Sequence, residues 1–190
     1  MFLVVGLGNP GSQYKDTRHN VGFMAADLIS SRYKFSPFKE KFDGLIAEGQ
    51  IGSEKVFLLK PQTFMNESGR SVVKAAFFYK ILPENVIVIH DDMDLSLGQL
   101  KAKIGGGSGG HNGLKSIDAN ISHAYNRIRI GVGHPSQKGP DVIDYVLGHF
   151  SNEDKKKLES SLSLACDATE VLILNGIESA SNFLGMNKIK

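Results

Sequence analysis

Polar side chains follow three of the hydrophobic runs in this sequence, at positions where α/β proteins place functional groups. The candidates for chemistry among them are Asn9, His19, Asp91, His111 and Asn112. A histidine oriented by a carboxylate can take a proton from water, and asparagine amides can donate to a developing negative charge or bind peptide groups. These residue types predict hydrolysis by an activated water.

His19 stands at the start of the first predicted helix, in which apolar residues recur at helical spacing between residues 21 and 29. Its side chain projects away from that apolar face, so core packing does not explain it. A helix N-terminus disfavours a charged imidazole, which suits a histidine that accepts a proton. Thr17 is the candidate N-cap of this helix, and Asp91 is the candidate carboxylate that orients the imidazole.

The opening run leads into Gly6-Leu-Gly-Asn-Pro-Gly11, which matches the glycine pattern of dinucleotide-binding sites. The context disagrees, because Pro10 precedes the third glycine and no helical pattern begins at Gly11. A strand ending in an acidic residue about twenty positions later, which would hold a ribose, is also missing. We therefore expect these glycines to shape a turn.

Two other site types fit the sequence less well. The segment with His90, Asp91, Asp92 and Asp94 suggests a metal site, but neighbouring strand residues face opposite ways and no second cluster completes a ligand set. Ser108 lies between glycines in a way that only superficially resembles a hydrolase nucleophile elbow. We predict neither a metal site nor a serine nucleophile.

The asparagines also have a purely structural interpretation. Asn9 precedes a proline in a turn, and Asn66 and Asn112 stand at positions typical of helix N-caps. From the residues alone, the capping and ligand-binding interpretations both remain open.

The order of predicted elements indicates the fold class. Strands are predicted at 2–5, 44–48, 55–59, 86–90, 100–103 and 126–132, and helices near 18–33, 67–80, 113–121, 140–147, 152–175 and 177–184. Gly52-Ser53 predicts a tight hairpin, so one strand pair should be antiparallel. We expect a single α/β domain over 1–190, with a central mixed, twisted β-sheet flanked by helices.

Composition narrows the class of protein. The 190 residues are 41% hydrophobic and 22% charged, which is ordinary for one globular domain. No apolar run is long enough for a signal peptide or a membrane span, so we expect a cytoplasmic protein without a membrane partner. The single cysteine, Cys166, lies in a helical pattern and is expected to be a buried structural thiol.

The formal net charge is only +2, but one third of the chain contains Lys101, Lys103, His111, Lys115, Arg127, Arg129 and His134. Lys101 and Lys103 alternate along one predicted strand, and Arg127 and Arg129 alternate along another, so each pair faces one side of its strand. We call these four residues the basic face. Such a surface can meet a phosphate, or it can simply be solvated.

Several long motifs in this chain resemble those of bacterial-type peptidyl-tRNA hydrolases, in the same order and spacing. They are VGLGNPG at 5–11, Tyr14, TRHN at 17–20, KPQTFMNESG at 60–69, HDDMDL at 90–95, GGGSGGHNGLK at 105–115 and RIRIGVGHP at 127–135. The resemblance covers residues 2 to about 150. The departure is Ser96-Leu97, where family members often carry proline.

The resemblance implies a reaction and roles for the candidate residues. The family cleaves the ester between a peptide and the terminal ribose of tRNA, with no metal or cofactor. His19 would be the general base and Asp91 its orienting carboxylate. Asn9, Asn66 and Asn112 would bind peptide backbone, hold water or stabilise the oxyanion, while Tyr14 and Met65 would line the site.

The same resemblance implies how tRNA is held. Lys103 and Arg129 match the positions that grip the tRNA 5′-phosphate, and Lys101 and His111 are weaker candidates. The partner would be peptidyl-tRNA, and we expect the protein to act as a monomer. The alternative is a tRNA-binding module without turnover, which would have no need of the His19–Asp91 pair.

Overall fold

A mixed β-sheet forms the centre of the computed structural model, which describes residues 1–135 and 142–189. The strands of these residues are β1 (Phe2–Gly6), β2 (Lys39–Lys41), β3 (Gly44–Ile51), β4 (Glu54–Pro61), β5 (Val86–Asp92), β6 (Leu100–Ile104) and β7 (Asn126–Gly131). They pair in the order β2-β3-β4-β1-β5-β7-β6. The predicted α/β class with a mixed sheet is confirmed.

Strand direction divides this sheet into a parallel centre and antiparallel flanks. β4, β1, β5 and β7 run parallel, whereas β3 pairs antiparallel with β4 through the predicted hairpin at Gly52. β6 runs antiparallel to β7. β2 was not predicted, because this edge strand consists of three exposed charged residues and carries no hydrophobic pattern.

The described helices are α1 (Val21–Arg32), α2 (Ser68–Tyr79), α3 (Asn112–Ile121), α4 (Val142–Val146), α5 (Asn152–Asn175) and α6 (Ile177–Met186). The bounds predicted for α5 agree with the structure, and Ser151 accepts a capping hydrogen bond from the Asp154 amide. Of the helix predicted over 140–147, positions 140 and 141 lie outside the described residues. None of the described helices combines the length and apolar character that a membrane span requires.

The start of α1 differs from the prediction. Residues Arg18–Asn20 form a separate 3₁₀ turn, and α1 begins only at Val21. The prediction that Thr17 caps the helix is wrong, because its hydroxyl donates to the carbonyl of Tyr14 instead. His19 therefore lies in the turn that leads into the helix.

The helices cover the sheet on both faces. One buried cluster joins α1, α5 and α6 to the strand residues Val4, Ile87, Ile89, Ile128 and Ile130. The other joins α2 and α3 to the alternate residues of β1 and β5, which are Leu3, Val5, Val86 and Val88. Cys166 is fully buried in the first cluster, and burial raises the pKa of its thiol to about 12.

A glycine contact fixes the position of α1 against the sheet. A side chain on Gly6 would overlap the backbone oxygen of Gly22, and a Cβ on Gly22 would lie 2.5 Å from the carbonyl oxygen of Ile89. The amide of Phe23 also donates to the carbonyl oxygen of Leu7 at 3.2 Å. Backbone thus packs on backbone three residues after His19.

Candidate active site

A cleft of about 630 Å³ opens at the edge of the sheet where β1, β4 and β5 end. Most of the predicted site residues line it, namely Asn9, His19, Met65, Asn66, Asp91, Lys103, His111, Asn112 and Arg129. In the described ranges, Tyr14 and Lys101 do not line the cleft. Tyr14 packs edge-on against the cleft residue Phe64, with ring centroids 6.5 Å apart, and Lys101 is exposed on the edge strand.

The glycine loop, residues 105–110, does not begin at the edge of the sheet that its sequence predicts. The prediction was that it follows a strand that ends at the same edge of the sheet as His19 and Asp91. Because β6 runs antiparallel to β7, this loop starts at the opposite end of the strand, where the Gly105 amide donates to the Tyr125 carbonyl. The loop then returns along the sheet to bring His111 to Asp91.

Asp91 lies between two histidines at the base of the cleft. Its Oδ2 is 2.8 Å from Nδ1 of His19, and its Oδ1 is 2.8 Å from Nε2 of His111. Burial alone would raise the pKa of this carboxyl, but the two neighbouring imidazoles and their hydrogen bonds hold the pKa below its ordinary value. The carboxylate is therefore ionised and accepts a hydrogen bond on each oxygen.

These contacts assign the protons on both rings. Nδ1 of His111 accepts from the backbone amides of Gly113 and Leu114, so the proton of that ring lies on Nε2 and is donated to Asp91. His19 donates from Nδ1, which leaves the lone pair on Nε2. No donor among the described residues occupies that nitrogen, so it can accept a proton in the cleft.

The contacts of His111 bear on the role predicted for it and on the capping role considered for Asn112. Its imidazole is bonded to Asp91 and to the start of α3, so neither ring nitrogen remains for a tRNA phosphate. His111 is also the N-cap of α3, and Asn112 is the first residue of the helix. Asn66 lies in a 3₁₀ turn before α2 and does not cap that helix either. The capping interpretation of these two asparagines is wrong.

Asn9 is held by a network that sequence reasoning missed. Its backbone amide donates to Oδ1 of Asn20 at 2.9 Å, and Nδ2 of Asn20 donates to the Asn9 carbonyl at 3.0 Å. The Met65 amide donates to Oδ1 of Asn9 at 2.8 Å. With its oxygen occupied, Asn9 offers its Nδ2 as a donor at the wall of the cleft. Asn20 belongs to the TRHN motif, and its polar type directly before an apolar helix was the available signal.

The four residues of the basic face differ in burial and in their partners, although their alternation predicts one common surface. Lys101 lies opposite Arg129 and Lys103 opposite Arg127 across the β6–β7 pair. Arg127 is fully buried, so it does not belong to the surface that the alternation predicts, whether that surface meets a phosphate or is solvated. Arg129 is partly exposed, and its Nε donates to Oδ2 of Asp92 at 2.7 Å. Burial would raise the pKa of Asp92, but Arg129 and the hydrogen bond from the Asp94 amide together hold it below its ordinary value.

Comparison with known proteins identifies the family. The family model described as peptidyl-tRNA hydrolase matches residues 3–190. The chain belongs to the peptidyl-tRNA hydrolase family. A peptidyl-tRNA hydrolase of Mesorhizobium japonicum is 52% identical over 179 residues, which cover 94% of this chain and 74% of that protein. One of Clostridium botulinum (strain Alaska E43) is 50% identical over 183 residues, covering 96% and 94%.

Solved structures of peptidyl-tRNA hydrolases have the same fold. A crystal structure of the enzyme from Acinetobacter baumannii superposes with a TM-score of 0.93 at 38% identity, covering 99% of this chain and 96% of that one. The family match also includes α5 and α6, which lie beyond the stretch where the sequence motifs were distinctive.

Among the residues that the structure describes, one group of side chains in this site has the residue types of a metal site. Ligand atoms of His19, Asp91 and His111 lie within 4.8 Å of one another. Their contacts are those of hydrogen bonds, because Nε2 of His111 carries a proton that a metal would have to displace. The metal ligands considered from the sequence, His90, Asp91, Asp92 and Asp94, do not face one common point. His90 is buried and contacts the Asp91 carbonyl, whereas Asp92 bonds Arg129.

Proposed function

We propose that this chain hydrolyses the ester that joins the C-terminus of a peptide to the 3′-terminal ribose of tRNA. The observation that carries the proposal is the His19–Asp91 hydrogen bond of 2.8 Å in a peptidyl-tRNA hydrolase fold, with the second nitrogen of His19 available to the cleft. The products are free tRNA and free peptide.

The reaction proceeds by attack of water on the ester carbonyl. His19 takes a proton from the water at Nε2 as the oxygen bonds to the carbonyl carbon, and ionised Asp91 stabilises the resulting imidazolium. When the tetrahedral intermediate collapses, the C–O bond to the ribose breaks and His19 returns the proton to the leaving oxygen. No covalent enzyme intermediate, metal or cofactor takes part.

The asparagines bind the substrate around this centre. Nδ2 of Asn9 donates to the oxyanion or positions the water, because Oδ1 is already bonded to Met65. Asn66 and Asn112, both exposed in the cleft wall, bind the peptide backbone, since an amide can donate to a carbonyl and accept from an N–H. A bare aminoacyl ester lacks that backbone and leaves these groups unpaired, which favours peptidyl-tRNA.

The tRNA is held from the basic face. Lys103 and Arg129 line the cleft beside the catalytic residues and bind the 5′-phosphate, with Lys101 as a peripheral contact. Asp92 accepts from Nε of Arg129, and in the described ranges neither terminal nitrogen of the guanidinium has a partner, so both can make a bidentate contact. We propose that the protein works in this way as a cytoplasmic monomer over the single domain 1–190.

The deciding experiment incubates the protein with N-blocked peptidyl-tRNA or with aminoacyl-tRNA, in the presence of a chelator, and measures release of intact tRNA. We expect rapid release from the peptidyl substrate and little from the aminoacyl substrate. Binding without turnover would instead support a tRNA-binding module. Loss of turnover with chelator, restored by added metal, would contradict the metal-free mechanism.

A further inference from the structure

The glycine loop rests on a buried arginine. Nη1 of Arg127 donates to the carbonyl oxygen of Gly107 at 2.7 Å, and Nη2 donates to that of Gly106 at 3.2 Å. Nη2 also lies 3.2 Å from Oδ1 of Asp118, which supplies the counter-charge. The fully buried guanidinium thus fixes the direction of two successive loop carbonyls.

Fixing the carbonyls also fixes the amides that follow them. In a planar trans peptide the N–H points opposite to the C=O, so the amides of Gly107 and Ser108 point away from Arg127. Both residues line the cleft. Within the described ranges neither amide donates to a backbone or side-chain acceptor. Two successive donors are therefore presented on the outer side of the loop.

A positive charge lies against the start of this loop. A Cβ added to Gly106 would lie 2.9 Å from Nζ of Lys103. In the part of the chain that the structure describes, no carboxylate lies within ion-pairing distance of that ammonium. The nearby Asp92 and Asp118 pair with Arg129 and Arg127. Burial and the two nearby arginines lower the pKa of Lys103, so an anion beside it would relieve an unfavourable charge cluster.

We propose that the backbone amides of Gly107 and Ser108 and the ammonium of Lys103 form one phosphate-binding site, with Arg127 as the residue that positions the loop. The inference rests on the proposed function, and its ligand is the tRNA 5′-phosphate assigned above to Lys103 and Arg129. Backbone amides add directional donors to these flexible charged side chains, in the manner of other phosphate-binding loops.

Amide resonances of the intact protein provide the direct test. The ¹⁵N-labelled chain is titrated with an RNA hairpin that reproduces a tRNA acceptor stem, carrying either a 5′-phosphate or a 5′-hydroxyl. We expect downfield shifts of the Gly107 and Ser108 amide protons with the 5′-phosphate hairpin only. The amide of Gly52, in the β3–β4 turn, serves as the internal control and should not move.

The outcomes separate this inference from the proposed function. If the Lys103 side-chain signals respond to the 5′-phosphate while both loop amides remain unchanged, the loop site is wrong and the lysine contact stands. If neither Lys103 nor the loop distinguishes the two hairpins, both the phosphate assignment and the loop site are wrong.

A pair of variants tests the same site by kinetics. Gly107→Pro removes the amide proton, whereas Gly107→Ala retains it, and a Cβ at this position meets no atom within 4 Å. We expect Gly107→Pro to raise KM roughly two- to tenfold on 5′-phosphorylated substrate, relative to Gly107→Ala, with little change in kcat. On 5′-dephosphorylated substrate the two variants should agree. Equal KM values on the phosphorylated substrate, with thermal unfolding showing both variants folded, would overturn the proposal.

Discussion

The two ends of the cleft are built on different physical principles. At the catalytic end, Asp91, His111 and Asn9 are buried or nearly so and are bonded within the protein, which leaves defined donor and acceptor atoms for substrate. At the phosphate end, Lys103 and Arg129 offer charge that is only partly balanced by Asp92. The catalytic end is preorganised for a transition state, whereas the phosphate end supplies affinity. Mutations at the first should therefore change kcat, and mutations at the second should change KM and its salt dependence.

The largest effect is expected for His19→Ala. Loss of the general base should lower kcat by roughly 10²- to 10⁴-fold while leaving tRNA affinity nearly unchanged, because the base acts mainly on the transition state. Single-turnover hydrolysis and a separate binding measurement check this. The control is His123→Ala, which removes an exposed histidine outside the cleft. Near-normal turnover in His19→Ala would contradict the mechanism.

Asp91→Asn should be the next most damaging change. The amide cannot accept from both imidazoles and does not stabilise the imidazolium, but His19 remains, so kcat should fall less than in His19→Ala, by roughly 10- to 100-fold. Residues that act as a unit are strongly non-additive. The double variant should therefore be little worse than His19→Ala, and defects that multiply would show that the two residues act independently.

Asn112→Asp tests substrate binding at the catalytic end without disturbing the fold. Asn112 is the first residue of α3 and His111 supplies the cap, so an acidic residue there suits the helix N-terminus and stability should hold. Loss of the amide donor should lower kcat/KM on peptidyl-tRNA by about tenfold. Asn66→Asp should behave alike. Full activity in both variants would exclude these asparagines from substrate binding.

Lys103→Ala and Arg129→Ala should each raise KM by roughly fivefold with little loss of kcat. Each should also reduce the log–log salt dependence of binding by about 0.7–0.9 for a lost phosphate contact. Lys101→Ala removes the same charge from an exposed position of β6 outside the cleft wall, so its effect on KM should be smaller than that of Lys103→Ala. If removing the 5′-phosphate weakens wild type and variants by the same factor, neither residue binds that phosphate.

The smallest effect concerns stability against acid. Because the pKa of Asp91 is held below its ordinary value in the folded protein, ionisation of this carboxyl stabilises the fold above about pH 4, the usual pKa of aspartate. That stabilisation is lost as the pH falls through the folded-state value. The difference in unfolding free energy between wild type and Asp91→Asn, measured in urea, should be largest near pH 7 and shrink below pH 4. A constant difference would contradict the depressed pKa.

Much of the fold could be predicted because hydrophobic periodicity reports which residues are buried. The parallel centre of the sheet consists of nearly continuous apolar runs, and α5 carries both a cap and an apolar stripe. β2 could not be found because its Lys-Glu-Lys sequence is stabilised only by backbone pairing to β3. The predicted strand pattern also gave no direction for β6, so the path of the glycine loop was misjudged.

The site shows the same limit at the level of single side chains. Alternation correctly predicts that Arg127 and Arg129 lie on one face of β7, but it does not predict how deeply each side chain is buried. Arg127 lies beneath the glycine loop and is fully buried. Residue type and motif brought His19 and Asp91 together correctly. The contact of His111 with Asp91 could not be predicted, because it depends on the path of the glycine loop and not on sequence spacing.

The contact between Gly6 and Gly22 has a consequence for how this protein can change through evolution. Both positions lack space for even a methyl group, and the nearest obstructing atoms belong to backbone, which cannot move aside as a side chain can. A single substitution at either glycine must displace α1 from β1, and with it the turn that carries His19. Substitutions of neighbouring side chains cannot make room, because the obstruction is backbone. Core residues around these two positions can therefore change in evolution, whereas the two glycines cannot.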